Sequence, residues 1–233
     1  GGHGLPGLRP RAPAQAEEGR GTPAGGGGTL RAYQIRQLLH FGFKRVYADV
    51  RRMSDWWAVE ITGAVCVNPL YVGPRSPVFR RAKREGFPIL LESGGYQRRA
   101  AAAMGRMLKM ERDAEWVVAP DAPGEPERTL RLCAAYLRLT KAKERVLGVV
   151  HAPWLLDRYA EMGLGGVAIP WDAPFDRAAM RDRARELGLG WVHLLGADFE
   201  RGWDSTDVVP GPFRPRGPWV VLFPPVRWPS RKR

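Results

Sequence analysis

Residues 87–97 read Phe-Pro-Ile-Leu-Leu-Glu-Ser-Gly-Gly-Tyr-Gln, an apolar run that ends abruptly in a carboxylate, a hydroxyl, two glycines and an aromatic ring. The apolar part, residues 88–91, predicts a short buried strand. The two glycines let the backbone turn tightly and approach a flat ligand closely. Glu92, Ser93 and Tyr96 would then crowd the end of that strand, although a plain strand-to-helix turn capped by Ser93 is an equally simple interpretation.

On both sides of this stretch, short apolar runs alternate with amphipathic segments that carry Arg or Lys on one face. Strand-helix repeats of this kind build parallel sheets, and eight of them predict a closed (β/α)8 TIM-type barrel. An open doubly wound sheet is the alternative. The predicted strands are residues 43–50, 64–70, 88–91, 116–119, 146–150, 166–169, 191–195 and 205–209, and the predicted helices are residues 78–84, 98–112, 127–144, 155–162 and 176–187.

The composition changes at both ends of this pattern. Residues 1–28 are rich in Gly, Pro, Ala and Arg and predict a disordered tail, because so few apolar residues cannot offset the entropy of ordering. A helical pattern begins at Thr29, so the predicted barrel spans residues 29–209, which is lean for this fold and requires some short helices. Residues 210–233 form a proline-rich basic extension.

The charge of the chain favours a polyanionic partner. Lys and Arg number 37 against 24 Asp and Glu, a net charge of +13, while a hydrophobic content of 44% is typical of a globular protein. Nucleic acid is the first candidate partner, and a merely solvated basic surface is the alternative.

Two cysteines, Cys66 and Cys133, lie far apart in the sequence, which excludes a disulfide framework or a cysteine-rich zinc site built within the chain. We therefore expect an intracellular, cytoplasmic protein. No apolar run reaches the length of a membrane span, so no membrane association is expected.

Two glycine-rich segments resemble nucleotide-binding loops only superficially. Residues 163–166 and 188–190 each follow a predicted helix and precede a strand, whereas a phosphate-binding glycine loop follows a strand and opens a helix. They are interpreted as helix C-caps.

In a (β/α)8 barrel the active site lies at the carboxyl ends of the strands, so polar residues that close an apolar run are candidates. We expect three carboxylates, Glu92, Asp121 and Asp204, to face one pocket. Each also has an ordinary explanation as a turn or loop residue. Their spacing does not suit a metal site, so the sequence predicts nucleophilic or acid-base chemistry without metal or cofactor. The other candidates are Asn68, Ser93, His151, Trp171, Asp172, Asp198, Ser205 and Asp207.

The order and the residues of these segments resemble those of the tRNA-guanine transglycosylases. The resemblance is closer to their DNA-acting relatives, the DNA 7-deazaguanine transglycosylases. Residues 92–97, Glu-Ser-Gly-Gly-Tyr-Gln, resemble the family's Asp-Ser-Gly-Gly-Phe-Gln motif, the most specific of the set. Residues 66–71 resemble its Gly-Asn-Thr-Tyr segment, and residues 148–151 its Gly-Ile-Val-Gln. Residues 166–169 resemble the strand that ends in the family's Gly-Gly, and residues 193–196 with 202–205 resemble the Leu-Met-Gly-Val-Gly segment and the nucleophile strand.

This resemblance implies a (β/α)8 enzyme that exchanges guanine for a free 7-deazaguanine base in nucleic acid. Asp204 would attack the sugar C1′ and hold a covalent glycosyl-enzyme, and Glu92 would handle protons on the leaving and entering bases. Asp121 would accept the N1–H and 2-amino donors of guanine, and Tyr96 would stack on the base. The resemblance places the remaining substrate contacts at Asn68, Ser93, Gly94, Gly95, His151, Pro170 and Trp171.

Four departures from the family pattern matter. Glu92 replaces Asp, His151 replaces Gln, and Pro170-Trp171 replaces Gly-Gly, so the groups that read the 7-substituent differ. The tRNA enzymes also carry a zinc site of three Cys and one His after the barrel, which this cysteine content cannot supply, so DNA is favoured over tRNA. A tRNA-acting enzyme, a non-catalytic nucleic-acid-binding homologue and an unrelated small-molecule enzyme stay open, as do the identity of the deazapurine, the oligomeric state and any partner proteins that open the DNA.

Overall fold

The computed structural model describes residues 32–94, 99–196 and 200–210, and within them the chain forms a closed barrel of eight parallel strands. The predicted (β/α)8 architecture is therefore confirmed. The predicted tail at 1–28 and all but the first residue of the predicted extension lie outside the described residues. The strands are β1 (Arg45–Asp49), β2 (Val65–Val67), β3 (Ile89–Leu91), β4 (Trp116–Val118), β5 (Val146–Val149), β6 (Gly166–Pro170), β7 (Trp191–Leu195) and β8 (Ser205–Val208).

The strands pair in chain order, and β8 closes the ring by pairing with β1 from Arg45 opposite Ser205 to Ala48 opposite Val208. Side chains alternate between the two faces of each strand. One set, which includes Tyr47, Cys66 and Leu90, clusters inside the barrel. The other set packs outward against the helices, so each strand is buried on both faces.

The described residues contain seven α-helices: α1 (Ala32–Leu38), α2 (Trp56–Thr62), α3 (Pro77–Glu85), α4 (Ala100–Met110), α5 (Pro126–Leu137), α6 (Leu155–Glu161) and α7 (Arg177–Glu186). None of these described helices has the length and apolarity to cross a membrane.

Local sequence explains most of the helix boundaries. Ser76 caps α3 by accepting a hydrogen bond from the Phe79 backbone N–H at 3.2 Å, with proline at the first helical position. The predicted glycine C-caps are confirmed, because Gly163 and Gly188 follow α6 and α7 with φ of 72° and 78°. The helix predicted over 127–144 stops earlier, since the Thr140 hydroxyl accepts from the Ala142 backbone N–H and turns the chain.

The parallel strands give the barrel two different ends. We call the end at which the strands finish the mouth and the end at which they begin the floor. Six strand-to-strand connections carry a helix that brings the chain from the mouth back to the floor, namely those from β1 through β6 to β7. The described part of the connection from β7 to β8 contains no helix. Arg181 and Arg185 of α7 donate instead to the main-chain oxygens of Arg201 and Gly202, at 2.9 and 2.7 Å.

Candidate active site at the barrel mouth

Three carboxylates from three strands face the interior at the mouth. Asp49 ends β1, Glu92 directly follows β3, and Asp207 lies on β8. Burial, together with the nearby carboxylates of Asp49 and Asp207, raises the pKa of Glu92 to about 8, against the lowering effect of the Asn68 hydrogen bond. Burial and Asp207 also raise the pKa of Asp49 to about 6, although Arg51 opposes this shift. Near neutral pH, Glu92 therefore holds a proton in a cluster of like charges.

Asp207 is anchored by N–H groups from β7 and the turn after it. Its Oδ1 accepts from the Gly196 backbone N–H at 2.8 Å and lies 3.1 Å from Nε2 of His193. His193 is fully buried, and its Nδ1 lies 2.8 Å from the Ser205 hydroxyl. The Ser205 oxygen already accepts from the indole N–H of Trp191 at 2.8 Å.

These contacts assign the tautomer of His193. The Trp191 indole can only donate, so the Ser205 hydroxyl accepts that bond and has its own proton for Nδ1 of His193. Nε2 of His193 then carries hydrogen and donates to Asp207. The chain of bonds from Trp191 to Asp207 fixes the carboxylate from inside the barrel.

Asp121 makes a second anchored carboxylate at the mouth, in the turn after β4. Its Oδ1 accepts from the Ser93 hydroxyl at 2.7 Å, and its Oδ2 lies 2.9 Å from Nε2 of His151. Ser93 therefore does not cap the following helix, whose N-cap residue is Arg99 with no side-chain cap bond. The structure brings three predicted site residues, Asp121, Ser93 and His151, into one hydrogen-bonded group.

Asn68 orients Glu92 from the end of β2. Its amide nitrogen donates to Oε2 of Glu92 at 3.1 Å, while its carbonyl oxygen accepts from the Leu70 backbone N–H at 3.0 Å. The next turn requires glycine at position 94, where φ is +73° and a Cβ atom would approach Cδ1 of Leu70 to 2.7 Å. The predicted site residues Gly95 and Tyr96 lie outside the described part of the chain.

Pro170 and Trp171 lie at the mouth where β6 ends. The Trp171 backbone N–H donates to Leu195 at 3.0 Å, and its carbonyl accepts from Arg177. The Trp171 ring covers Gly196, because a Cβ atom there would lie 2.4 Å from Cδ1 of the indole. The pair therefore forms the wall of the mouth beside the turn that anchors Asp207.

The expectation that Asp204 shares the pocket with Glu92 and Asp121 is wrong. Asp204 directly precedes β8, and because all strands run in the same direction, it lies at the floor. Its carboxylate accepts from the Val192 backbone N–H at 2.9 Å and pairs with Lys44 at 2.7 Å. Its main-chain oxygen accepts from the N–H groups of Lys44 and Arg45, which join β8 to β1. Asp204 thus ties the floor ends of three strands together.

Sequence reasoning did not single out Asp49 or His193 as site residues, and it included Asp207 among the strand-end candidates without giving it a role. For Asp207 the signal was available, since counting in steps of two from Ser205 gives the inward positions of β8. Asp49 was missed because the predicted strand, residues 43–50, continued one residue past it, whereas β1 ends at Asp49. The role of His193 depends on bonds to residues 12 and 14 positions away.

A shallow depression of about 400 Å³ opens at the floor, lined by residues that include Lys83, Phe87, Asp113 and Glu115. Its charged groups are already engaged, since Lys83 pairs with Asp113 at 2.8 Å and Glu115 accepts from Tyr47 at 2.7 Å. Across the described ranges, no three His, Cys, Asp or Glu side chains are grouped as metal ligands would be.

Comparison with known proteins gives no family assignment. No family model matches the chain, and no curated protein matches it. A solved structure from Aquifex aeolicus VF5, described as a "Structural study of Project ID", is similar with a TM-score of 0.41 and 13% identity, over 76% of this chain and 87% of that chain.

Proposed function

We propose that the protein is a base-exchange transglycosylase that replaces guanine with a 7-deazaguanine base in DNA through a covalent aspartyl-glycosyl intermediate. The observation that carries the proposal is that two carboxyl groups in different states, one protonated and one held by N–H donors, lie inside the same mouth. Glu92 holds a proton near neutral pH, and Asp207 is anchored by N–H donors. An acid and a carboxylate nucleophile are the two groups that displacement at a glycosidic carbon requires.

In the first step, an oxygen of Asp207 attacks C1′ of the target nucleotide and the bond from C1′ to N9 of guanine breaks. The electron pair of that bond stays on the base, which takes the proton from Glu92 and leaves as neutral guanine. Asp207 is then linked to C1′ as an ester, and Glu92 is ionised. The N–H donors of Gly196 and His193 hold Oδ1 in place during the attack.

In the second step, the incoming 7-deazaguanine gives its N9 proton to Glu92 and N9 attacks C1′. The ester bond to Asp207 breaks, and both carboxyl groups return to their starting states. Protons and electrons balance over the cycle without a cofactor. Asn68 keeps Glu92 oriented for both transfers through its hydrogen bond to Oε2.

Asp121 is the group best suited to read the base. Each of its oxygens makes one bond in the structure, to Ser93 and to His151, and a carboxylate oxygen can accept two. It can therefore also accept the adjacent N1–H and 2-amino donors of a guanine. The predicted stacking by Tyr96 stays a prediction from the sequence, as does the preference for DNA over tRNA.

The test is incorporation of labelled guanine or 7-deazaguanine into duplex DNA, single-stranded DNA and tRNA. We expect labelling of DNA by the wild type and by Asp204→Asn, and none by Asp207→Asn. The pair is matched, since each substitution removes one charge from the same four-residue segment. Labelling of tRNA alone would favour the tRNA-acting alternative, and labelling of neither would favour the binding-protein alternative. Exchange that survives Asp207→Asn would refute the role of Asp207.

A further inference from the structure

The rim of the mouth is divided by charge. In the described residues, the loops after β1, β2 and β3 carry four exposed arginines. We call these four arginines with Tyr71 the basic rim: Arg51, Arg52, Tyr71, Arg75 and Arg99. In these loops Asp55 lies at the edge of the rim and Glu92 points into the mouth.

The opposite half of the rim has the reverse composition. The loops after β4, β5 and β6, at residues 119–125, 150–154 and 171–176, contain no Lys or Arg. They carry the exposed acidic residues Glu125, Asp172 and Asp176. A polyanion that reaches the mouth is therefore attracted to one half of the rim and repelled by the other.

Tyr71 is an exposed aromatic ring on the basic side. Tyr71 is 51% exposed, compared with 38% for Trp154 on the other side of the mouth. The Arg51 guanidinium lies 4.5 Å from the centre of the Tyr71 ring and contacts Asp49 of the mouth at 3.3 Å. The ring is thus coupled through Arg51 to the carboxylate cluster.

The loop that carries Tyr71 is held by several hydrogen bonds. The Tyr71 backbone N–H donates to Asn68 at 3.0 Å, and Arg106 of α4 donates to the carbonyls of Pro69 and Leu70 at 3.0 and 3.3 Å. An aromatic ring held in this way and open to water can stack on a flat partner with little loss of loop entropy.

We propose that the basic rim binds the unpaired strand that flanks the target nucleotide, with one nucleobase stacked on Tyr71 and the phosphates on the arginines. This inference rests on the proposed function and names the form of its substrate, which is single-stranded at the mouth. A stacked base must leave its duplex, so Tyr71 distinguishes an open strand from a closed one. The contacts between the arginines and the phosphates supply the part of the affinity that weakens as the salt concentration rises.

The test is fluorescence anisotropy of the full chain with a short labelled single-stranded DNA and with the duplex of the same sequence, over a series of salt concentrations. We expect Tyr71→Ala to weaken single-strand binding by about tenfold, the loss of one stacked base, and Tyr71→Phe to bind as the wild type. Leu139→Ala is the matched control, since Leu139 is exposed at the opposite end of the barrel.

The arginines have a separate readout. Arg52→Gln and Arg75→Gln should each reduce the slope of log affinity against log salt by about one, and Arg138→Gln, an exposed residue after α5, should reduce it less. Tyr71→Ala that behaves like Leu139→Ala, or tighter binding of duplex than of single strand, overturns the inference. Asp207→Asn separates the two proposals, because it should abolish exchange and leave this binding unchanged.

Discussion

Asp204 and Asp207 are three residues apart, yet they belong to opposite ends of the barrel. Asp204 precedes β8 and bonds to Val192 and Lys44 at the floor, whereas Asp207 bonds to Gly196 at the mouth. A strand advances about 3.3 Å per residue, so three residues span about 10 Å. In this parallel barrel, the position of each carboxylate along the chain separates the structural role of Asp204 from the catalytic role proposed for Asp207.

The two ends also differ in how their charges are compensated. At the floor, Asp204 pairs with Lys44, and Glu115 pairs with Arg45 at 3.2 Å and accepts from Tyr47. At the mouth, burial and mutual repulsion of carboxylates raise the pKa values of Asp49 and Glu92. The floor is therefore arranged for stability, and the mouth carries strain that chemistry can use.

The largest effect is expected when the comparison is tested at Asp207. Asp207→Asn removes the proposed nucleophile, so the single-turnover rate of the proposed base exchange should fall by a factor of about 10³ or more. The melting temperature should change little, because the amide oxygen can still accept from Gly196. Rapid-quench kinetics and thermal unfolding of the same preparation measure both quantities. A large fall in melting temperature, with a rate loss explained by the smaller folded fraction, would make Asp207 a structural residue.

His193 tests whether the mouth depends on its buried supports. His193→Leu removes the Nε2–H donor to Asp207 and should lower kcat by about 100-fold with KM nearly unchanged, because only the orientation of the proposed nucleophile is lost. His193→Gln keeps a donor and should recover most of that loss. Steady-state kinetics of both variants measure this. Equal losses in Leu and Gln, or a change confined to KM, would exclude a positioning role.

Asp204 is the corresponding test of the floor. Asp204→Ala leaves the Val192 N–H without its acceptor and Lys44 without its partner, so the free energy of unfolding should fall by about 2 kcal/mol. The contribution of Lys44 is small because its side chain is largely exposed. Urea denaturation measures the change. The exchange rate of the folded variant should stay near that of the wild type, and a rate loss as large as that of Asp207→Asn would break the comparison.

Glu92 gives the smallest effect when it is expressed per pH unit, and it is read from the pH dependence of stability. Its pKa is about 8 in the folded protein and ordinarily 4.5, so folding takes up a proton between these values. Stability from this group is complete below pH 4.5 and falls as the pH rises to about 8, by at most about 1.4 kcal/mol per pH unit. Glu92→Gln should make the free energy of unfolding less dependent on pH over this range. Urea denaturation of both proteins near pH 4.5 and near pH 8 measures this. An unchanged slope would mean that Glu92 is ionised throughout.

The fold was predictable because most of the eight strands are short apolar runs bounded by polar turns, the pattern of a sheet buried on both faces. The exception is β8, which reads Ser-Thr-Asp-Val. The short helix α2 escaped prediction, since its seven residues, with a single charge, show too few turns for a clear period. Ser93, Asp121 and His151 were predictable because each follows an apolar run. The expected position of Asp204 at the mouth was wrong, since which of Asp204 and Asp207 lies there depends on the first residue of β8.

The described end of the connection from β7 to β8 is held through its main chain and not through its side chains. Arg181 and Arg185 of α7 bind main-chain oxygens of residues 201 and 202, and main-chain oxygens are the same whatever the side chain. Position 201, which is exposed, can therefore vary during evolution without loosening the closure of the barrel. Gly202 cannot vary in the same way, because its φ is +93° and a Cβ atom would lie 2.5 Å from Arg181. The position of the described end of this connection therefore depends on two arginines of α7 and on one glycine.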